Sequence, residues 1–142
     1  MAYDPFLAGQ KATANLLNTR IIELVMDWTD LDAIGSYTAN GSASTAVPQM
    51  RIVSDMGTIR WDFKGRINTT GLSAATTTAI FTFDGDYQVS QEEGFSAYAA
   101  GTSHYPCRLG FMTSGNLTVS VPTGISVPTG VWLSGKSIYD PQ

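Results

Sequence analysis

Cysteine is nearly absent from this sequence: Cys107 stands alone among 142 residues. One thiol forms no internal disulfide and builds no zinc site by itself, so neither staples the chain together. Neither is needed at this length, because a chain of this size buries about 70% of its unfolded surface around one core. Charge is scarce too. Charged residues make up 14% of the chain, against roughly 25% in ordinary globular domains. Eight Lys and Arg against twelve Asp and Glu leave a net charge of -4, which argues against a phosphate-neutralising surface and removes DNA and RNA as partners. There is no run of eighteen apolar residues, so no membrane insertion is expected. The opening Met1-Ala2-Tyr3-Asp4-Pro5-Phe6 lacks the basic region and apolar stretch of a secretory signal.

What the sequence does carry is hydroxyl groups, 17 Thr and 13 Ser, a balance that suits an all-β, extracellular or particle-borne protein. Helical periodicity is confined to the stretch between Thr13 and Trp28, where Leu17, Ile21, Leu24 and Trp28 are spaced by four, three and four. Such a helix is marginal alone in water, so it either lies on its own domain or bundles with copies of itself. After Trp28 the chain turns to short alternating runs bounded by Gly, Asn, Asp, Pro and Ser. In the run Thr58 to Ile67, Ile59, Trp61 and Phe63 point one way and Arg60, Asp62 and Lys64 point to a wet face. Further strands are expected at 49–53, 79–83, 108–112, 117–121, 131–134 and 136–139, with loops over 69–78 and 91–106. The reading is a mainly β protein: an anchor and helical stem over residues 1–30, then an antiparallel β-sandwich or jelly-roll-like head over 31–142.

Candidates for chemistry are few. His104 and Cys107, three apart, are the one pairing of an imidazole with a thiol that the sequence offers, but a cysteine in this setting behaves as a small buried hydrophobe. Asp84-Gly85-Asp86 with Glu92 and Glu93 offers oxygen ligands for calcium, yet the full calcium-binding loop is missing and a turn is the simpler account. A glycoside hydrolase needs two facing acids, and Asp55, Asp62, Asp84, Asp86, Glu92 and Glu93 are the pool outside the stem. No phosphate-cradling loop is present. The chain therefore reads as no enzyme, with no metal and no cofactor. The aromatics suit contact better. Tyr87, Gln91, Glu92, Glu93, Tyr98, His104 and Tyr105 supply ring faces and hydrogen-bonding groups within one stretch, the kind of surface that stacks on sugar rings or docks a protein. Core or subunit-interface packing is the alternative for the same rings.

Asp4-Pro5 and the run Ala8-Gly9-Gln10-Lys11-Ala12-Thr13-Ala14-Asn15-Leu16-Leu17-Asn18 resemble the opening of tail-associated proteins from phages of Gram-positive hosts. Trp61 to Arg66, the stretch Ala79-Ile80-Phe81-Thr82-Phe83-Asp84-Gly85-Asp86-Tyr87 and the close Val131-Trp132-Leu133-Ser134-Gly135-Lys136-Ser137-Ile138-Tyr139 resemble the small β heads of phage tail-fibre and baseplate receptor-binding proteins. The chain departs from that pattern where Pro is missing between Phe83 and Tyr87, and where Gln88-Val89 replaces Arg-Pro. The resemblance implies a homotrimer with a helical stem through Leu17, Ile21, Leu24 and Trp28, and attachment to a virion. A short tail fibre or baseplate head touching other tail proteins and a host cell-wall glycan is the leading expectation. A capsid-attached head fibre or decoration trimer, or a cell-wall-degrading tail hydrolase, are the alternatives.

Overall fold

The computed structural model describes residues 22–100, 105–124 and 128–142. Its strands in chain order are β1 (Ile22–Asp30), β2 (Gly35–Tyr37), β3 (Gly41–Ala43), β4 (Gln49–Asp55), β5 (Thr58–Lys64) and β6 (Arg66–Thr69). There follow β7 (Thr77–Phe83), β8 (Glu93–Ala100), β9 (Tyr105–Phe111), β10 (Asn116–Ser120), β11 (Gly130–Trp132) and β12 (Lys136–Tyr139). They form a four-stranded sheet in the order β1-β4-β5-β12 and an eight-stranded sheet in the order β2-β7-β10-β9-β8-β11-β6-β3. The larger sheet curls until β3 also lies against β7, so it is nearly closed as a barrel. Gly41 permits that closure, since a Cβ there would run into the Ile80 carbonyl.

The expected helix is corrected over its second half. Residues 22–28 belong to β1, which pairs antiparallel with β4 through Ile22 with Asp55, Leu24 with Val53 and Met26 with Ile52; residues 13–21, with Leu17 and Ile21, lie outside the described residues. A spacing of four is also an even number, so Leu24 and Trp28 share a face in a strand as well as in a helix. Pairing with β4 decides between the two periods, and not by simple alternation: Leu24 lies opposite Val53 and Met26 opposite Ile52, so Met26 turns to the core while Leu24 stays exposed. Bulges on either side of Met26 interrupt the ladder and add local twist to the edge strand.

The expected loop over 91–106 is corrected as well, because β8 occupies half of it and β9 begins at Tyr105. Its inward residues Ala97 and Ala99 are small and buried, so the alternation carried too little apolar weight to show in the sequence. The run Thr58 to Ile67 is two strands rather than one, broken at Gly65 with φ +88. A Cβ there would strike the Val47 carbonyl.

The core lies between the sheets. Phe63 of the smaller sheet meets Phe111 at 4.9 Å between ring centroids, and Phe81, Phe83 and Phe111 of the larger one pack on each other at 4.9 to 6.0 Å. Trp61, Met50 and Ile138 close the layer from the smaller sheet's inner face.

The outer face of β5 is less wet than the alternation implied. Asp62 is only 8% exposed. It accepts from Arg51 Nε at 2.9 Å, Arg60 Nε at 2.8 Å and Ser137 Oγ at 2.8 Å, while Arg60 Nη1 reaches Asp55 at 2.6 Å. The Trp28 ring takes the Arg51 guanidinium at 4.8 Å and the Lys64 ammonium at 4.3 Å. Burial alone would raise the Asp62 pKa, but the hydrogen bonds from Arg60, Ser137 and Arg51 together hold it below the ordinary carboxylate value.

Trp61 sits in the middle of the inner face, so Trp61→Ala is expected to cost about 3–5 kcal/mol in a denaturant titration. For Asp62, a lowered folded pKa means that its stabilisation is complete above the ordinary carboxylate range and is lost as pH falls through the lowered value. Asp62→Asn should therefore be less stable than the native chain at pH 7, and the gap should narrow at pH 2.5. An equal gap at both pH values, read by chemical denaturation, would show that the carboxylate is not the stabilising form.

Candidate functional site

β8 carries two of the expected contact residues, Glu93 and Tyr98, and its length divides the set. Glu93 opens the strand and Tyr98 lies five residues further on, about 17 Å along an extended chain. Gln91 and Glu93 therefore belong to one end of the strand, and Tyr98 and Tyr105 to the other. Tyr87 belongs to neither group: it ends the 3-10 turn Gly85–Tyr87 and packs against the core. Glu92 is exposed beside Gln91, and His104 lies outside the described residues.

At the Tyr98 end the register assembles a row that the sequence does not show. Tyr98 pairs with Pro106 on β9, and Val131 pairs with Ala99, so that the next position brings Trp132 level with Tyr98. Trp132 pairs in turn with Arg66 on β6. The neighbours of these residues along each strand, Ile67, Ala97, Ala99, Cys107 and Val131, are buried, so alternation places Arg66, Trp132, Tyr98 and Pro106 on the outer face. Tyr98 is 64% exposed. The Arg66 guanidinium lies 5.9 Å from the Trp132 ring centroid and donates through Nη2 to Thr129 Oγ1 at 3.3 Å, while its Nε is buried without a hydrogen-bond partner among the described residues. Trp132 and Arg66 were not expected as site residues. The signal available was the position of Trp132 between two apolar neighbours, Val131 and Leu133, which strict alternation turns to the opposite face.

At the Glu93 end lies a cleft of about 290 Å³ between the segment around Ser90, Gln91 and Glu93 and the chain after β12, which contributes Tyr139, Asp140 and Gln142. The Ser90 N–H donates to the Pro141 carbonyl at 2.7 Å and joins the two walls. Gln142 Nε2 donates to the Asp86 carbonyl at 2.8 Å, and the Asp140 N–H to the Ile59 carbonyl at 2.8 Å. Asp140 itself has φ +52. Tyr139, Asp140 and Gln142 were not expected here, since no spacing in the sequence links residue 91 to residue 140.

Among the described residues the reactive candidates lie apart from one another. Cys107 is buried, facing inward from β9; burial pushes its thiol up to about 11 against a smaller opposite pull from Lys136. At neutral pH it is a protonated thiol and a poor nucleophile. Asp55 and Asp62 are committed to arginines on the smaller sheet. Asp84 carries the turn instead, its carbonyl accepting from the Tyr87 N–H at 2.9 Å. Among the described residues no three His, Cys, Asp or Glu side chains gather as a metal site would require.

The chain is similar to the crystal structure of the head domain of phage bIL170, which addresses a common fold for the receptor-binding domains of lactococcal phages. The TM-score is 0.58 at 17% identity, over 82% of this chain and 97% of that one. This chain has the fold of a phage head domain. No protein-family model matches it, and no curated protein does. The likeness bears out the mainly β reading and the resemblance of the head segments. It also replaces the generic sandwich with a four-stranded sheet and a nearly closed eight-stranded one.

Proposed function

We propose that this phage-head fold serves as a structural virion protein of a phage tail, a short fibre or baseplate head. On this reading it joins neighbouring tail proteins at one end and binds a host cell-surface glycan at the other. The fold it shares with the bIL170 head domain carries the reading. The placement of the chain agrees with it. Residues 1–21 join at Ile22, which pairs with Asp55, and that end of the sheet also holds Ile59 and Tyr139. β8 runs from there towards the Tyr98 row, so the ring faces of Tyr98 and Trp132 stand away from the point where residues 1–21 attach. The exposed Tyr98 ring and the half-buried Trp132 ring beside a guanidinium suit stacking on a pyranose with a hydrogen bond to its hydroxyls. Binding is the role we assign to this row, which offers ring faces and hydrogen-bond donors.

We place contacts between copies at the attachment end, as a homotrimer. Ile22, Leu24, Val25, Met56 and Ile59 are all exposed there, a concentration of apolar surface that soluble monomers seldom leave uncovered. Linking copies on one particle multiplies a weak per-site affinity by about a hundredfold or more where the geometry allows simultaneous contact.

Light scattering at micromolar concentration is expected to give three times the 15.2 kDa chain mass, and Leu24→Asp to lower it; a monomeric native mass removes the trimer. Tyr98→Ala and Trp132→Ala are each expected to cut adsorption of the purified protein to host cells by tenfold or more. Unchanged adsorption of a variant that keeps the native mass would take the glycan contact away from this row.

A further inference from the structure

We infer that the cleft between the Ser90–Glu93 segment and the end of β12 is a second binding site, one that takes a protonated amino sugar. Its volume of about 290 Å³ lies at the small end of the range for small-molecule sites, a size for one sugar ring rather than a chain of them. Its walls are held to each other by the Ser90–Pro141 backbone hydrogen bond, and one is pinned to β5 through Asp140 and Ile59. The concavity is thus built into the fold and does not depend on an incoming partner.

The lining determines the charge of the ligand. Glu93 and Asp140 are the ionisable acids of the cleft, and it contains no Lys, Arg or His. Neither carboxyl group forms an ion pair or a side-chain hydrogen bond among the described residues, in contrast to Asp55 and Asp62, which are both occupied. Two cations stand nearby: Arg60 lies over the Tyr139 ring at 5.8 Å and is already bonded to Asp55 and Asp62, and the Arg108 guanidinium lies over Gly94 without an ion pair to Glu93 among the described residues. An ammonium group is the ligand charge that two unpaired carboxyl groups favour, and an anionic sugar is the one they repel. The remainder of the lining suits the ring of such a ligand. Ser90 and Gln91 bring hydroxyl and amide groups that match sugar hydroxyls, and Tyr139, largely exposed, brings an aromatic face for the C–H side of the ring.

This site is separate from the Tyr98 row, at the other end of β8, and it stands whether or not that row binds a receptor. The test is an NMR or calorimetric titration of the full chain at pH 6, where a sugar amine is protonated, with glucosamine, N-acetylglucosamine and glucose. Glucosamine is expected to bind at least tenfold more tightly than the other two, and added salt to weaken it. Combined Glu93→Gln and Asp140→Asn should erase that preference. Asn is the suitable replacement at residue 140 because it accepts the left-handed backbone found there. Equal binding of the three sugars by the native chain, or no binding of glucosamine, overturns the proposal irrespective of how the variants fold. So does a preference retained in a double variant that melts at the native temperature.

Discussion

β5 and β6 are one run of chain that leaves the smaller sheet at Lys64 and enters the larger one at Arg66. The turn is made at Gly65, where the backbone is left-handed and a side chain would collide with Val47. A second run, β11 into β12, makes the return crossing alongside, and the two corners are bonded together: the Leu133 N–H donates to the Gly65 carbonyl at 2.9 Å and the Gly65 N–H to Ser134 Oγ at 3.1 Å. This corner allows two sheets to share one core. With it in place, Trp61 and Phe63 on one side face Phe81, Phe83 and Phe111 on the other. The same crossing puts Trp132 on the outer face beside Arg66, because both residues lie one step past the bend.

The two sheets divide the remaining work. The smaller sheet covers its outer face with bonds of its own, Asp62 at the centre of three side-chain donors and Trp28 laid over two cations. A face so committed offers few free groups to a ligand, and burying the arginines' partner there makes that face depend on pH. The larger sheet leaves the Tyr98 ring open on its outer face between β6 and β9, beside Trp132 and an Arg66 guanidinium that the fold holds in place through Thr129. Free chemistry is therefore found on the barrel-like sheet and in the cleft where it meets the end of β12, while the flat sheet supplies rigidity and the junction with residues 1–21.

Several features were legible from the sequence because they depend on neighbours along the chain. The mainly β class, the alternation of Ile59, Trp61 and Phe63, the strand at 136–139 and the turn near Gly57 are all local patterns, and the Met56-Gly57 connection has the two left-handed residues that such a tight hairpin needs. The candidate contact residues Gln91, Glu93 and Tyr98 stand out by side-chain chemistry alone, which is also local.

Tertiary structure decided what local pattern leaves ambiguous. Leu24 and Trp28 satisfy a helical and an extended period equally, and only the partner strand β4, more than twenty residues away, selects the second. β8 went unseen because a narrow barrel fills its interior with Ala97 and Ala99, side chains too small to register as a hydrophobic run. The company each site residue keeps was beyond reach for the same reason. Tyr98 meets Trp132 and Arg66 through register across strands distant in sequence, and Glu93 meets Asp140 through the return of the chain after β12. By itself the sequence determined which residue types the molecule has to offer and, in strands with a clear alternation such as β5, on which side they fall, since a two-residue period needs only the chain; which strands lie side by side is settled by the shared core, and that alone groups those residues into sites.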